Sequence, residues 1–430
     1  MKPSTRFLLA GAAGAAATAA AVRPDRFGPA APLEFVIGVP VSELPLHTGA
    51  AQAALGLALA RGGGLRGVGG ALGLGLGAAS AAGLWRLYRD AHASGQVLEQ
   101  ALVDGLGSDY RDRIHGPYRL APDVPLTRRT LLAPDLRSRR RYVAPDARDL
   151  PYGEYGRRNH LDIWRRVDLP AGAGAPVLIQ IHGGAWVMGQ KLGQAHPLMA
   201  HLAERGWVCV TINYRLSPRS TWPDHIVDVK RAIAWVKATI ADYGGDPGFV
   251  AVTGGSAGGH LASLAALTPG LADYQPGFED ADTRVHAAVP FYGVYDFAGG
   301  TGPADRGLQW FLARRVFKTS LHDDRANWEL ASPVSHVGPD APPFFVLHGI
   351  NDTVVPVEAA REFTARLRAV ASRPVAYAEL PRAQHAFDAL PSVRAHHTVH
   401  AVERFLAVAR SEAGALAPGR GPDAAARTSS

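Results

Sequence analysis

The stretch Gly254-Gly255-Ser256-Ala257-Gly258 constrains this chain more than any other short segment. An apolar run, Phe249 to Val252, leads into it, and a helix-like segment, His260 to Leu267, follows. That order reads as strand, sharp turn and helix, with a serine at the apex. The turn strains the backbone and brings the helix close to neighbouring strands, so glycines are needed where a Cβ would collide. Ser256 is the candidate nucleophile on this reading. A helix starting at Ala257 would aim free backbone N–H groups, and the positive end of its dipole, at an oxyanion formed beside the serine.

The expected partners occur in order along the chain. Val177 to Ile181 is a short branched apolar run that reads as a buried strand, and it ends in His182-Gly183-Gly184-Ala185-Trp186. The N–H of Gly183 or Gly184, with that of Ala257, would form an oxyanion hole. Phe344 to Leu347 is another buried strand, closed by His348-Gly349-Ile350-Asn351-Asp352. Val375 to Leu380 alternates like a strand, and His385 lies in the loop after it. Ser256, Asp352 and His385 thus follow the Ser, Asp, His order of a nucleophile elbow, which excludes the chymotrypsin-like and subtilisin-like orders. Among seventeen histidines, His385 stands out by following the last strand, whereas His336, His396 and His397 lie on or beside helical patterns. His182 is expected to bond its own loop, and Asp296 to serve a turn or to anchor a cap.

The His-Gly-Gly-Ala-Trp loop, the Gly-Gly-Ser-Ala-Gly-Gly elbow and the segment from His348 to Pro356 resemble the α/β-hydrolase superfamily, in its carboxylesterase and lipase-like branch near the hormone-sensitive lipase group. The resemblance spans residues 140 to 410. It implies a mostly parallel central sheet with helices on both faces, and hydrolysis of carboxylic esters through an acyl-enzyme on Ser256. It also implies substrate contacts from Trp186 and Gly255, and no cofactor or metal. Gly255 stands where hormone-sensitive lipase relatives often carry an acidic residue, and the Asp352 segment is also similar to feruloyl-esterase and oligopeptidase patterns. An amidase or peptidase of the same fold is therefore the alternative. The strand at Trp207 to Tyr214 and the helix at Asp224 to Tyr243 agree with the fold. Asp296 to Ser332, with Trp310, Phe311, Phe317 and Trp328, reads either as a small cap or as helices whose aromatics pack on the core.

The beginning of the chain differs in character. Lys2 and Arg6 precede an uncharged run, Phe7 to Val22, of the kind found in signal peptides and short membrane anchors. After a Pro-rich linker, Gly49 to Ala60 is apolar, and Gly67 to Trp85 is uncharged; Trp85, Arg86, Tyr88 and Arg89 resemble an interfacial belt. A membrane association is expected, against the alternatives of a packed helical pair or a low-complexity segment. Mycobacterial-type esterases are similar in joining such an extension to this domain, and Ser42 to His47 resembles theirs. The resulting division is 1–110 extension, 111–139 linker, 140–410 hydrolase domain and 411–430 disordered tail. A membrane or cell-envelope location follows, with secreted or cytoplasmic as the alternative.

The net charge of +7 includes a basic cluster, Arg137 to Arg141, read as a solvated strand edge or a membrane-facing patch. No aromatic-basic interleaving accompanies it, so nucleic acid is not an expected partner; a small-molecule ester is. The single cysteine, Cys209, rules out an intramolecular disulfide, and no zinc motif or phosphate loop occurs.

Overall fold

The computed structural model describes residues 1–25, 31–115, 123, 125–127, 138–299 and 303–416. Its centre is one sheet of eight strands in the order β1-β2-β4-β3-β5-β6-β7-β8. They are β1 (Leu150–Pro151), β2 (His160–Trp164), β3 (Ala175–Ile181), β4 (Val208–Ile212), β5 (Gly245–Gly255), β6 (Ala287–Phe291), β7 (Phe344–Gly349) and β8 (Val375–Leu380). β1 and β2 pair antiparallel, as do β2 and β4; all other pairs are parallel. Parallel neighbours need crossovers, and helices supply them.

Among the described residues, four long helices precede the sheet: α1 (Pro3–Val22), α2 (Ala31–Glu43), α3 (Pro45–Leu59) and α4 (Gly67–Leu106). Between and after the strands come α5 (His196–Glu204), α6 (Asp224–Thr239), α7 (Ala257–Leu267), α8 (Val357–Val370) and α9 (Val393–Leu416). Strand side chains alternate between two cores. Val177, Ile179 and Ile181 face α6, α7 and α8, while Leu178, Ala251 and Phe345 face α5, α9 and the second half of α4. Both faces are covered, which is why these strands read as continuous apolar runs.

Several expectations shift. The uncharged run closing at Trp85 belongs to a helix of 40 residues that continues to Leu106. Leu98, Leu102 and Leu106 lie in the same core as α9, so a boundary at residue 110 separates segments that are packed together. Gly105 permits this, because a Cβ there would lie 2.6 Å from the Ala376 Cα of β8. Residues 31–43, expected within a Pro-rich linker, form α2. The tail expected from Ser411 is helical as far as Leu416, and residues 417–430 fall outside the described residues. Most of the 111–139 linker also falls outside them. The basic cluster forms a short helix over Ser138–Tyr142 rather than a strand edge; Arg139 bonds buried Asp162 at 2.6 Å and Arg141 pairs with Glu204.

The Asp296 to Ser332 segment holds short helices at Pro303–Leu312 and Arg325–Leu330, with residues 300–302 outside the described set. Phe317 and Trp328 stack at 4.4 Å inside the core, so most of its aromatics pack rather than line a cap. Trp310 is exposed, with the Arg314 guanidinium over its ring.

The extension is fastened to α9 by a buried ion pair. Arg394 Nη1 bonds Glu43 Oε1, and Ser392 Oγ donates to Glu43 Oε2 at 2.8 Å; neither charged side chain has any exposure. Burial pushes the Glu43 carboxyl up despite the attraction of Arg394. Removing one partner leaves the other charge stranded. Arg394→Ala is expected to lower stability by about 3–5 kcal/mol, whereas the paired change Glu43→Leu with Arg394→Leu recovers most of it, as read by chemical denaturation in detergent.

Candidate active site

β5 ends at Gly255 and α7 begins at Ala257, which leaves Ser256 alone at the turn. Its φ of 59° and ψ of −122° are strained for a residue with a side chain. Packing enforces the bend. A Cβ on Gly254 or Gly258 would run into the Ile181 carbonyl oxygen of β3, and one on Gly259 into that of Phe291. The Ser256 N–H donates to Phe291 O at 3.0 Å, and Ser256 O accepts the first helical bond from His260 N.

The carboxyl ends of neighbouring strands bring the other groups to the same rim. Gly255 is in register with Phe291, Phe291 with Leu347, and Gly349 with Leu380. Ser256, Tyr292, Asp352 and His385 all follow directly from these ends, the position at which open α/β sheets bind ligands. Asp352 has no exposure, and its carboxylate is saturated. Oδ2 accepts from His385 Nδ1 at 2.7 Å and lies 3.2 Å from His348 Nε2. Oδ1 accepts from the N–H of Val354 and of Val355, each at 2.8 Å. Burial would raise this carboxyl, but attraction to His385 and the bonds from both imidazoles outweigh it and hold it well below the usual carboxylate range. A carboxylate only accepts, so Nδ1 of His385 carries the proton of this bond.

Tyr292 connects this pair to the elbow. Its ring lies 4.5 Å from the His385 ring, and a Cβ on Gly255 would lie only 2.6 Å from its hydroxyl. That hydroxyl bonds half-buried Asp388. Gln384 ties the two loops: its Oε1 accepts from Thr353 N and from His385 N, each at 2.8 Å. A third ring approaches from outside the sheet, as Phe35 of α2 meets the His385 ring edge-on at 5.8 Å.

The loop after β3 behaves differently from expectation. Of the three N–H groups expected to face an oxyanion, that of Gly183 already donates to Gln194 Oε1 at 2.7 Å, which leaves those of Gly184 and Ala257 as the candidates. Gly184 has φ 122°, and a Cβ there would strike the Met188 carbonyl oxygen. Ala257 is the first residue of α7, so its N–H has no partner within the helix. The substrate contact expected of Trp186 is not what its position gives. Trp186 is 2% exposed, and its indole N–H donates to His260 Nδ1 at 3.2 Å, so it belongs to the core. Positive φ at Ala185 and Trp186 turns the ring inward. Gly255, likewise expected at the substrate, makes room for Tyr292. His182 bonds its own loop as expected: it is buried against Tyr214 at 4.2 Å, contacts Gly183 O, and burial pushes its imidazole down to about 4. Asp296 accepts from the N–H groups of Ala298 and Gly299, as a turn residue does.

Tyr292, Gln384, His348, Gln194 and Phe35 carry no local sequence signal for these contacts, although His348 opens the motif that contains Asp352. Among the described residues, one cluster has metal-ligand character: His201, His400 and Glu403, with ligand atoms within 4.8 Å. His201 Nε2 already pairs with Glu403 at 2.7 Å, and Arg205 stands 3.8 Å from the same carboxylate, so its charge is already balanced.

The BD-FAE family model matches residues 161–367. The probable carboxylic ester hydrolase LipM of Mycobacterium tuberculosis is 54% identical over 93% of this chain and 92% of its own length. The esterase LipQ of the same organism is 49% identical over 74% of this chain and 75% of its own. Esterase 2 of Thermogutta terrifontis, solved with propionate bound, is 26% identical, covers 57% of this chain and 86% of its own, and has a TM-score of 0.49. With the LipM similarity running through both the sheet and the helices before it, the chain belongs to the carboxylesterase family of α/β-hydrolases and is a carboxylic ester hydrolase.

Proposed function

We propose that the chain is a membrane-held serine carboxylesterase in which Ser256 attacks, His385 carries the proton and Asp352 fixes His385. The observation that carries this reading is the buried Asp352–His385 bond of 2.7 Å at the rim shared with the elbow serine. In the reaction, Ser256 Oγ adds to the ester carbonyl carbon while its proton passes to His385 Nε2. The carbonyl oxygen becomes an oxyanion facing the Gly184 and Ala257 N–H groups. His385 returns the proton to the leaving alkoxide as the C–O bond breaks, giving the alcohol and an acyl-serine. Water, deprotonated by the same imidazole, then releases the acid. The four contacts on Asp352 keep it ionised and oriented throughout.

The membrane role rests on an inverted bundle. Leu9, Leu55, Leu57, Leu72 and Leu74 of α1, α3 and α4 point outward and are exposed. The polar atoms lie inside: Ser80 Oγ meets Thr18 Oγ1 at 2.8 Å and Gln52 Oε1 at 2.7 Å. Glycine brings the backbones together, since a Cβ on Gly11 would lie 2.5 Å from Gly73 O. Small residues at the crossing with polar side chains between helices are how helices associate in lipid, where apolar burial offers no drive. α1, with 20 residues, is about 30 Å long, the thickness of a bilayer core. Lys2, Arg6, Arg61 and Arg66 mark one end and Arg23, Arg86 and Arg89 the other; the close approaches of Gly64 to Phe7 and of Gly83 to Thr18 level the helices accordingly. The described part of residues 1–110 is therefore read as a membrane unit whose last helix enters the hydrolase core.

Ser256→Ala is expected to abolish fluorophosphonate labelling and nitrophenyl-ester turnover while leaving the thermal unfolding midpoint within a few degrees; labelling that persists would place the nucleophile elsewhere. Asp352→Asn should reduce kcat by on the order of 10⁴-fold with little change in KM, because the imidazole loses its required tautomer. The full chain should sediment with membranes, resist an alkaline carbonate wash and be released by detergent; release by carbonate alone would contradict the spanning reading.

A further inference from the structure

We propose that α2 is the acyl-binding wall of this site and that the esters it takes are those resident in a bilayer, with Phe35 as the residue that selects an apolar acyl chain. The inference rests on the serine-esterase reading and adds the substrate class and the direction of entry.

Both loops that carry the Asp352–His385 pair are held by the helices before the sheet. Asn351 Nδ2 donates to the last carbonyls of α1, Ala21 O at 3.0 Å and Val22 O at 3.1 Å. Thr353 Oγ1 donates to Ala31 O at the start of α2. Further along the same helix, Gly38 packs against Gln384, the side chain that ties Thr353 to His385. Glu43 closes the helix onto Arg394. α2 is thus clamped across the mouth of the site, with Phe35 turned edge-on to the His385 ring.

The surface around that contact is apolar and open. Leu33 and Val36 flank Phe35 and are exposed, as are Val354 beside Asp352 and Met188 on the oxyanion loop. A soluble enzyme for small polar esters gains nothing from such a rim, which favours association instead. An acyl chain gains from every methylene it removes from water there. The rim is also continuous with the end of the bundle marked by Arg23 and Arg86, since Asn351 bonds α1 one residue before Arg23. That end is where lipid headgroups would meet the arginines and where the ester bonds of lipids lie, with their chains pointing into the apolar layer. The geometry therefore suits an ester whose acyl tail stays in lipid while its carbonyl reaches Ser256.

The test uses the full chain reconstituted in phosphatidylcholine vesicles, with nitrophenyl acetate and nitrophenyl myristate as substrates. In Phe35→Ala the myristate-to-acetate ratio of kcat/KM is expected to fall roughly tenfold or more relative to the unmodified chain. A ratio within twofold of the unmodified chain would overturn the assignment of Phe35. Fluorophosphonate labelling of Ser256 reports whether the variant site is assembled; if it is not, Phe35→Leu is read on the same ratio, where no fall again overturns the proposal. Leu33→Asp addresses entry from the bilayer. It should slow hydrolysis of vesicle-borne myristate at least fivefold more than hydrolysis of the same ester in detergent micelles, and an equal effect in both would refute that route. Failure of the serine mechanism would show separately, as an unmodified chain that hydrolyses both esters without labelling at Ser256.

Discussion

A carboxylate sealed from water has to be solvated by the protein, and Asp352 organises much of this molecule around that requirement. Two backbone N–H groups from its own turn and two imidazoles surround its oxygens. The residues on either side of it in sequence, Asn351 and Thr353, reach away to the carbonyls that end α1 and begin α2. One short loop therefore satisfies a buried charge, orients the His385 imidazole and receives the helices that precede the sheet. Losing its rigidity would disturb all of these at once, since an unpaired buried carboxylate is among the most expensive defects a fold can carry.

The elbow shows the complementary constraint, in which backbone rather than charge sets the geometry. Ser256 holds a strained turn because β3 and β6 crowd it from either side, and Gly254, Gly258 and Gly259 are the residues that let them approach. On the proposed mechanism, the strained serine at the mouth of the helix meets the substrate carbonyl while the helix dipole favours the charge that develops there. Strain and dipole act at the same atom.

Much of this was legible in the sequence because the signals were local. Glycines on both sides of Ser256, branched apolar runs before each motif, and a strand spanning Val375 to Leu380 each leave a pattern within a few residues, and the structure follows them closely. What was missed depends on contacts across long separations. α2 contains Pro40 and reads as a linker; it is held as a helix by Glu43 meeting Arg394 from the other end of the chain. The run ending at Trp85 looked complete because arginines follow it, yet Leu87, Ala91, Leu98 and Leu102 keep the helical spacing on the inner face while the charges point outward. Trp186 looked like a pocket residue because its loop adjoins the site, but the direction of a side chain depends on φ at that position, which residue type does not reveal. Tyr292 and Gln384 are ordinary residues made important only by where the strands end.

The unbroken course of α4 has a mechanical consequence. It runs as one helix from the proposed bilayer, near Arg66, into the layer beneath β8, and such a rod transmits rotation rather than absorbing it. Helices longer than the local hydrocarbon thickness tilt to match it. In a thinner membrane the whole catalytic layer would lean with the rod, so the angle at which the serine's opening meets the headgroup plane would be set by lipid composition.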